Sequence, residues 1–196
     1  MPKPYIPNDA WSRKAAAEGY RARSVYKLIE LDERFHLLQP GMTVLDLGAA
    51  PGSWLQHAAK KIGGKGRAIG LDLTPIVPIG SNVVTHPQDI ADLRGVEDIL
   101  AKEKIERIDL VLSDIAPSTS GIKDVDQWRS VELAQCVFTI AAKHLQSGGR
   151  CVVKIFRGAD FDELLKWIKQ RWCDARIVKV EASRDRSREV YVVATK

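Results

Sequence analysis

Short apolar runs rich in β-branched residues alternate with helical stretches along most of the chain, and this alternation restricts the fold more than any other feature. Runs at 43–47, 67–71, 108–112, 150–155, 176–180 and 190–195 read as strands. Helical spacing marks 53–61, 89–103, 126–145 and 161–172 between them. Such alternation builds βαβ units and a parallel sheet covered on both faces. The last two runs are separated by about ten residues without helical character, too few for a helical crossover, so they should pair antiparallel. The expected fold class is α/β: a single Rossmann-like domain with a mostly parallel seven-stranded sheet, an antiparallel last strand and helices on both faces.

The chain has 196 residues, 45% of them hydrophobic, which suits one core and one domain spanning 1–196. Residues 1–12 carry three prolines and no periodicity and read as a flexible basic arm. In the segment 13–40, Val25, Leu28, Ile29, Leu31, Phe35 and Leu38 recur at helical spacing before Pro40-Gly41 closes an amphipathic helix. Thirty basic against 25 acidic residues leave a formal charge of +5, a balance that favours polyanionic partners. Cys136, Cys151 and Cys173 are odd in number and widely spaced, and are expected as reduced core residues. The four histidines are scattered and none pairs with a cysteine at ligand spacing, so no metal is expected. With no leader-like segment and no apolar run near roughly 18 residues, the expectation is a soluble, cytoplasmic monomer without membrane association.

Val44 to Leu47 runs into Gly48-Ala49-Ala50-Pro51-Gly52 and then into a helix opening at Ser53-Trp54. A buried strand, a glycine turn and a helix start together place a ligand at that helix terminus. Gly48 and Gly52 let the backbone approach it, and Asp46 can receive an ammonium group. Asp72, at the end of the second strand, is placed to accept from ribose hydroxyls, so the pattern indicates a nucleoside cofactor. The spacing is G-x-x-x-G with Pro51 inside, unlike the G-x-G-x-x-G of dinucleotide sites, and suits a ligand without a pyrophosphate. The plainer readings are a tight strand-to-helix turn for the glycines and helix caps for Asp72 and Asp89.

Four charged residues interrupt otherwise patterned segments: Lys27, Asp114, Lys154 and Glu189. Ligands bind at the carboxyl ends of parallel strands, where Asp114 and Lys154 fall; an antiparallel last strand begins at that same edge and delivers Glu189. Lys27, on an amphipathic helix, reads on its own as a solvated lysine. Lys154, within Val152-Val153-Lys154-Ile155-Phe156, would cost desolvation unless partnered. Two lysines and two acids suit the deprotonation of a poorly nucleophilic hydroxyl: burial and a neighbouring cation make a free amine available as the base, and the acids orient it.

Asp46-Leu47-Gly48-Ala49-Ala50-Pro51-Gly52-Ser53-Trp54, Ser113-Asp114-Ile115-Ala116-Pro117, Val153-Lys154-Ile155-Phe156 and Ser187-Arg188-Glu189-Val190-Tyr191 closely resemble the FtsJ/RrmJ family of ribosomal RNA 2′-O-ribose methyltransferases. Arg21-Ala22-Arg23-Ser24-Val25-Tyr26-Lys27-Leu28 resembles it as well, so the likeness runs from about residue 11 to 196. The resemblance implies S-adenosyl-L-methionine as methyl donor, bound by Gly52, Trp54, Asp72, Asp89 and Asp114 with Asp46, Gly48 and Ser53 in the same loop region. It places the family's K-D-K-E tetrad on Lys27, Asp114, Lys154 and Glu189, with Lys154 as proton acceptor. It implies as substrate a uridine in the A-loop of large-subunit ribosomal RNA, presented on the subunit. The 74–79 segment need not read alike across the family.

Arg13, Lys14, Arg21 and Arg23, interleaved with Trp11, Tyr20 and Tyr26, are candidate RNA contacts, as are Arg186 and Arg188 before Glu189. Solvated charge beside core aromatics is the plainer reading. Two other functions fit the same fold, an RNA-binding assembly factor without turnover and a methyltransferase for a small molecule or protein. The intact tetrad argues against the first, and Asp114-Ile115-Ala116-Pro117 in place of an Asn-Pro-Pro-Tyr-like loop against the second.

Overall fold

The computed structural model describes residues 9–118, 120–183 and 188–196. The sheet is built from β1 (Thr43–Leu47), β2 (Arg67–Asp72), β3 (Val83–Pro87), β4 (Ile108–Ser113), β5 (Leu145–Phe156), β6 (Asp174–Val178) and β7 (Glu189–Thr195), in the order β3-β2-β1-β4-β5-β7-β6. Strands β1 to β5 pair parallel, and β7 runs antiparallel between β5 and β6. The expected seven strands and the reversed last strand are both present.

Alternation along the strands divides the core into two layers, since successive side chains leave opposite faces. Leu45, Leu47, Val111, Cys151, Val153, Ile155, Val190 and Val192 pack on one face with residues of α4 (Leu93–Lys102), α5 (Lys123–His144) and α6 (Phe161–Lys169). Val44, Leu110, Leu112, Val152, Tyr191 and Val193 pack on the other with α2 (Val25–Phe35) and α3 (Ser53–Ile62). Val25, Leu28 and Leu31 of α2 are fully buried, each worth roughly 1.5–3 kcal/mol of transfer free energy. His36 ends α2 in the left-handed conformation, its amide donating to the Asp32 carbonyl at 2.7 Å.

Beyond shifts in the bounds of α5, β5, α6 and β6, the structure departs from the sequence reading as follows. Residues 10–12, expected in the arm, begin helix α1 (Ala10–Ala17), which Asp9 caps by accepting the Ser12 amide at 2.8 Å. β3 lacks a sequence signal because it is a half-buried edge strand ending in His86-Pro87. α4 starts at Leu93, not 89, because Asp92 accepts the Gly95 amide at 3.1 Å and is its cap. Of the cysteines only Cys151 lies in the core; Cys136 is half-buried, and Cys173 is exposed in the turn before β6.

Candidate active site

The carboxyl edge of the sheet on the α2–α3 side collects every charged residue of the expected tetrad. Asp114 follows the last residue of β4, and Lys154 is the third residue from the end of β5, on the same face as Val152. Glu189 opens β7 opposite Phe156, and Tyr191 pairs with Lys154. Packing of α2 over this edge brings in Lys27. Its Nζ stands 2.7 Å from Glu189 Oε1 and 3.7 Å from Asp114 Oδ1, while Lys154 Nζ lies 3.2 Å from Asp114 Oδ1. Lys154 also donates to the Asp114 carbonyl. Lys27, whose helix position alone suggested a solvated face, is mostly buried, with 12% of its side chain exposed.

Two hydroxyls that the sequence reading did not single out complete the cluster. Tyr191 Oη donates to Asp114 Oδ1 at 2.6 Å, and Ser183 Oγ donates to Glu189 Oε1. Alternation from Glu189 offered one signal for Tyr191, because residues two apart share a face; Ser183 offered none. Burial pushes the Tyr191 phenol well above its usual value, and the Asp114 and Glu189 carboxylates add to this, so it stays a donor. For Glu189 burial acts upward, but Lys27, the Ser183 hydroxyl and Lys154 together outweigh it and hold the carboxyl below its usual range.

Beside this cluster lies a cleft lined by Ser24, Asp46, Gly48, Ala49, Ala50, Ser53, Trp54 and Asp114. Its floor is Asp46, 1% exposed, with Oδ2 lacking a hydrogen-bond partner among the described residues. Burial, reinforced by Asp114 and Asp72, drives this carboxyl well above the usual aspartate value. Gly48 has φ +77°, and a Cβ there would stand 2.6 Å from Ile115 Cβ, so glycine is required. Gly52, at φ +100°, opens α3. Ser53 and Trp54 turn towards α2: Ser53 Oγ meets Ser24 Oγ at 2.9 Å, and Trp54 Nε1 donates to the Ser24 carbonyl at 2.8 Å. They anchor the loop.

Asp72 accepts the Ala50 amide at 2.9 Å and the Thr74 amide at 2.8 Å, which shapes the loop and leaves further acceptor sites on the carboxylate. Asp89, exposed just past β3, accepts the Ala91 amide at 2.9 Å and caps no helix. Asp46, Asp72 and Asp89 thus stand at neighbouring strand ends along one edge. An unpartnered buried carboxylate fits a cationic ligand, and acceptors at the adjacent strand ends fit hydroxyls; S-adenosyl-L-methionine carries both an ammonium group and a ribose.

The candidate RNA contacts separate into two groups. Arg21 donates to the Pro51 carbonyl at 3.1 Å and the Pro78 carbonyl at 2.9 Å, while Ile76 and Ile79 pack against the same core, so the 74–79 loop is fastened over the glycine turn. Arg23 donates to Asp9 and, at 2.9 Å, to the Ala182 carbonyl. The guanidinium groups of these two therefore meet backbone and carboxylate oxygens within the chain, a role the sequence reading did not assign them. Arg13, Lys14 and Arg188 are exposed, with Lys14 Nζ 4.8 Å from the Tyr26 ring centre. Arg186 lies outside the described residues. Among the described residues no cluster of His, Cys, Asp or Glu could hold a metal ion, and no helix is long and apolar enough to cross a membrane.

A mostly parallel sheet with a reversed seventh strand between β5 and β6, and a glycine turn beside an unpartnered carboxylate at its carboxyl edge, defines an S-adenosyl-L-methionine-dependent methyltransferase. Comparison with known proteins narrows the class. The chain belongs to the FtsJ-like methyltransferase family, whose pattern matches residues 20–196. It is 42% identical over 186 residues to the ribosomal RNA large subunit methyltransferase E of Azoarcus sp. (strain BH72), covering 95% of this chain and 90% of that one. The protein of the same name from Bdellovibrio bacteriovorus is 41% identical over 190 residues, covering 96% of each. A crystal structure from Plasmodium falciparum described as a ribosomal RNA methyltransferase superimposes with a TM-score of 0.81 at 29% identity, over 90% of this chain and 98% of that one. An rRNA-methylase structure from Clostridium thermocellum, at 17% identity and a TM-score of 0.62, shares the fold.

Proposed function

We propose that the protein methylates a ribose 2′-hydroxyl of ribosomal RNA, and that the acceptor is a uridine in the A-loop of the large subunit. The observation that carries this reading is the convergence of Lys27, Asp114, Lys154 and Glu189 beside the Asp46 cleft. The names of the relatives support ribosomal RNA as substrate.

S-adenosyl-L-methionine, held by Asp46, Gly48, Gly52, Asp72, Asp89 and Asp114 with Ser53 and Trp54 bracing the loop, supplies a methyl group already activated by a positive sulfur. The chain's own task is to remove the hydroxyl proton and align the oxygen. Lys154 accepts that proton at Nζ. Asp114 fixes Nζ through its carbonyl and Oδ1, and Tyr191 in turn fixes Oδ1. Lys27, held by Glu189, presents a positive charge that favours the alkoxide character developing on the acceptor oxygen. Arg13, Lys14 and Arg188 meet phosphates around this edge. The enzyme acts as a cytoplasmic monomer.

The test is transfer of labelled methyl to unmodified large ribosomal subunits and to free RNA, with wild type beside Lys154→Ala. Label at a uridine 2′-oxygen, lost in the variant, is expected. Undiminished transfer by the variant removes Lys154 as the base. RNA binding without transfer by the wild type favours the assembly-factor reading.

A further inference from the structure

Glu189 has a hydroxyl partner for which the proposed reaction states no role. Ser183 is buried at 8% exposure, and its Oγ donates to Glu189 Oε1, the oxygen that also meets Lys27. Ser183 follows a segment that leaves β6 and is fastened to α2 and the turn before it. Arg34 donates to the Lys179 carbonyl at 3.1 Å; Glu30 accepts the Glu181 and Ala182 amides at 2.7 and 3.3 Å. Arg23 donates to the Ala182 carbonyl at 2.9 Å, and the Ser183 amide closes a turn on Val180 at 3.2 Å. These bonds fix the hydroxyl relative to the helix that carries Lys27. Both ends of the Lys27–Glu189 pair are therefore set from α2, one directly and the other by way of Ser183.

We propose that Ser183 is a positioning residue of the methyl-transfer reaction, its hydroxyl selecting the Glu189 conformation in which Oε1 meets Lys27. The inference rests on the catalytic reading of the tetrad. A glutamate carboxylate reaches its place through three rotatable bonds, and a single O–H donor on one oxygen narrows that freedom. The same donor helps hold Glu189 ionised.

Ser183→Ala, Ser183→Thr, Glu189→Gln and the Ser183→Ala/Glu189→Gln double variant would be compared in methyl transfer to unmodified large ribosomal subunits. Ser183→Ala is expected to lower kcat roughly tenfold, the effect of losing one hydrogen bond to a charged group, with KM for both substrates nearly unchanged. Ser183→Thr keeps the hydroxyl and should recover most of the rate. On the Glu189→Gln background the serine substitution should cost nothing further. The same loss on both backgrounds, or no loss in Ser183→Ala while Glu189→Gln is impaired, overturns the inference. Full activity of Glu189→Gln would sink the tetrad reading itself and this inference with it.

Discussion

Lys27 and Lys154 converge on one oxygen, Asp114 Oδ1, at 3.7 and 3.2 Å, although one comes from the first long helix and the other from the fifth strand. Their remaining partners differ. Lys27 has the Glu189 carboxylate at 2.7 Å, whereas Lys154 donates to a backbone carbonyl, which carries no formal charge. In the proposed mechanism these two amines take different tasks, Lys27 as a retained cation and Lys154 as the proton acceptor.

That difference predicts unequal tolerance of arginine. A guanidinium cannot be deprotonated in a protein, so Lys154→Arg should be as inactive as Lys154→Ala, with kcat lower by about 100-fold or more. Lys27→Arg keeps the charge its task requires and should retain much more activity than Lys27→Ala. Single-turnover rates at saturating cofactor would measure both pairs, and an active Lys154→Arg would refute its role as base.

Asp46 makes the opposite kind of prediction, a gain in stability from losing a functional group. Folding raises its carboxyl well above the usual aspartate value of 3.8, so the folded chain holds the proton more tightly than the unfolded chain does. Stability contributed by this group therefore falls as pH climbs above that value and stays lowered at neutral pH. Asp46→Asn removes the penalty, and the ligand-free protein should melt at a higher temperature than wild type. The rise in Tm on adding S-adenosyl-L-methionine should shrink in the variant, because the proposed partner of the ligand's positive charge is gone. Thermal melts with and without the ligand decide it.

The parts of this architecture that were readable in the sequence are those where burial leaves a pattern. Parallel strands covered on both faces read as Val- and Ile-rich runs, and a charge inside such a run, as at Lys154, stands out. α1 and β3 lack such a pattern: the first is alanine-rich without apolar spacing, and the second is a half-buried edge. Within the site, Tyr191 reads as a core aromatic in its strand and Ser183 as an ordinary turn residue. The intrachain role of Arg21 and Arg23 was not readable, because nothing local reveals the carbonyls of Pro51, Pro78 and Ala182 that engage them. Long-range backbone acceptors are invisible to local spacing.

Glu189 should govern part of the acid response of stability. Its folded pKa lies below the usual glutamate value of 4.5, so its favourable contribution is full above that value and is lost as pH falls through the depressed one. At pH 7 Glu189→Gln should be less stable than wild type by roughly 2 kcal/mol, since Lys27 loses its nearer carboxylate. The gap should persist down to about pH 5 and then close. Urea titrations from pH 7 to pH 3 would follow it, and a gap that stays constant through the acid range would contradict the proposed origin.

Arg21 offers a choice between two functions with separable readouts. Its guanidinium spans the Pro51 and Pro78 carbonyls, its amide donates to Gln56 Oε1 at 2.9 Å, and a Cβ at position 52 would lie 2.9 Å from its Nη1. It therefore joins the glycine turn to the 74–79 loop and should act on the cofactor. Arg21→Ala is expected to raise the dissociation constant for S-adenosyl-L-methionine about tenfold, as two hydrogen bonds from a charged donor are lost. Arg21→Lys should restore little, because one ammonium cannot reproduce the forked geometry of a guanidinium across two carbonyls. A phosphate contact would show differently: removing it lowers the salt dependence of RNA binding by nearly one counterion and leaves cofactor affinity unchanged. Calorimetric titration of the cofactor together with RNA binding across a salt series separates these outcomes. The structure predicts a change in the first and none in the second.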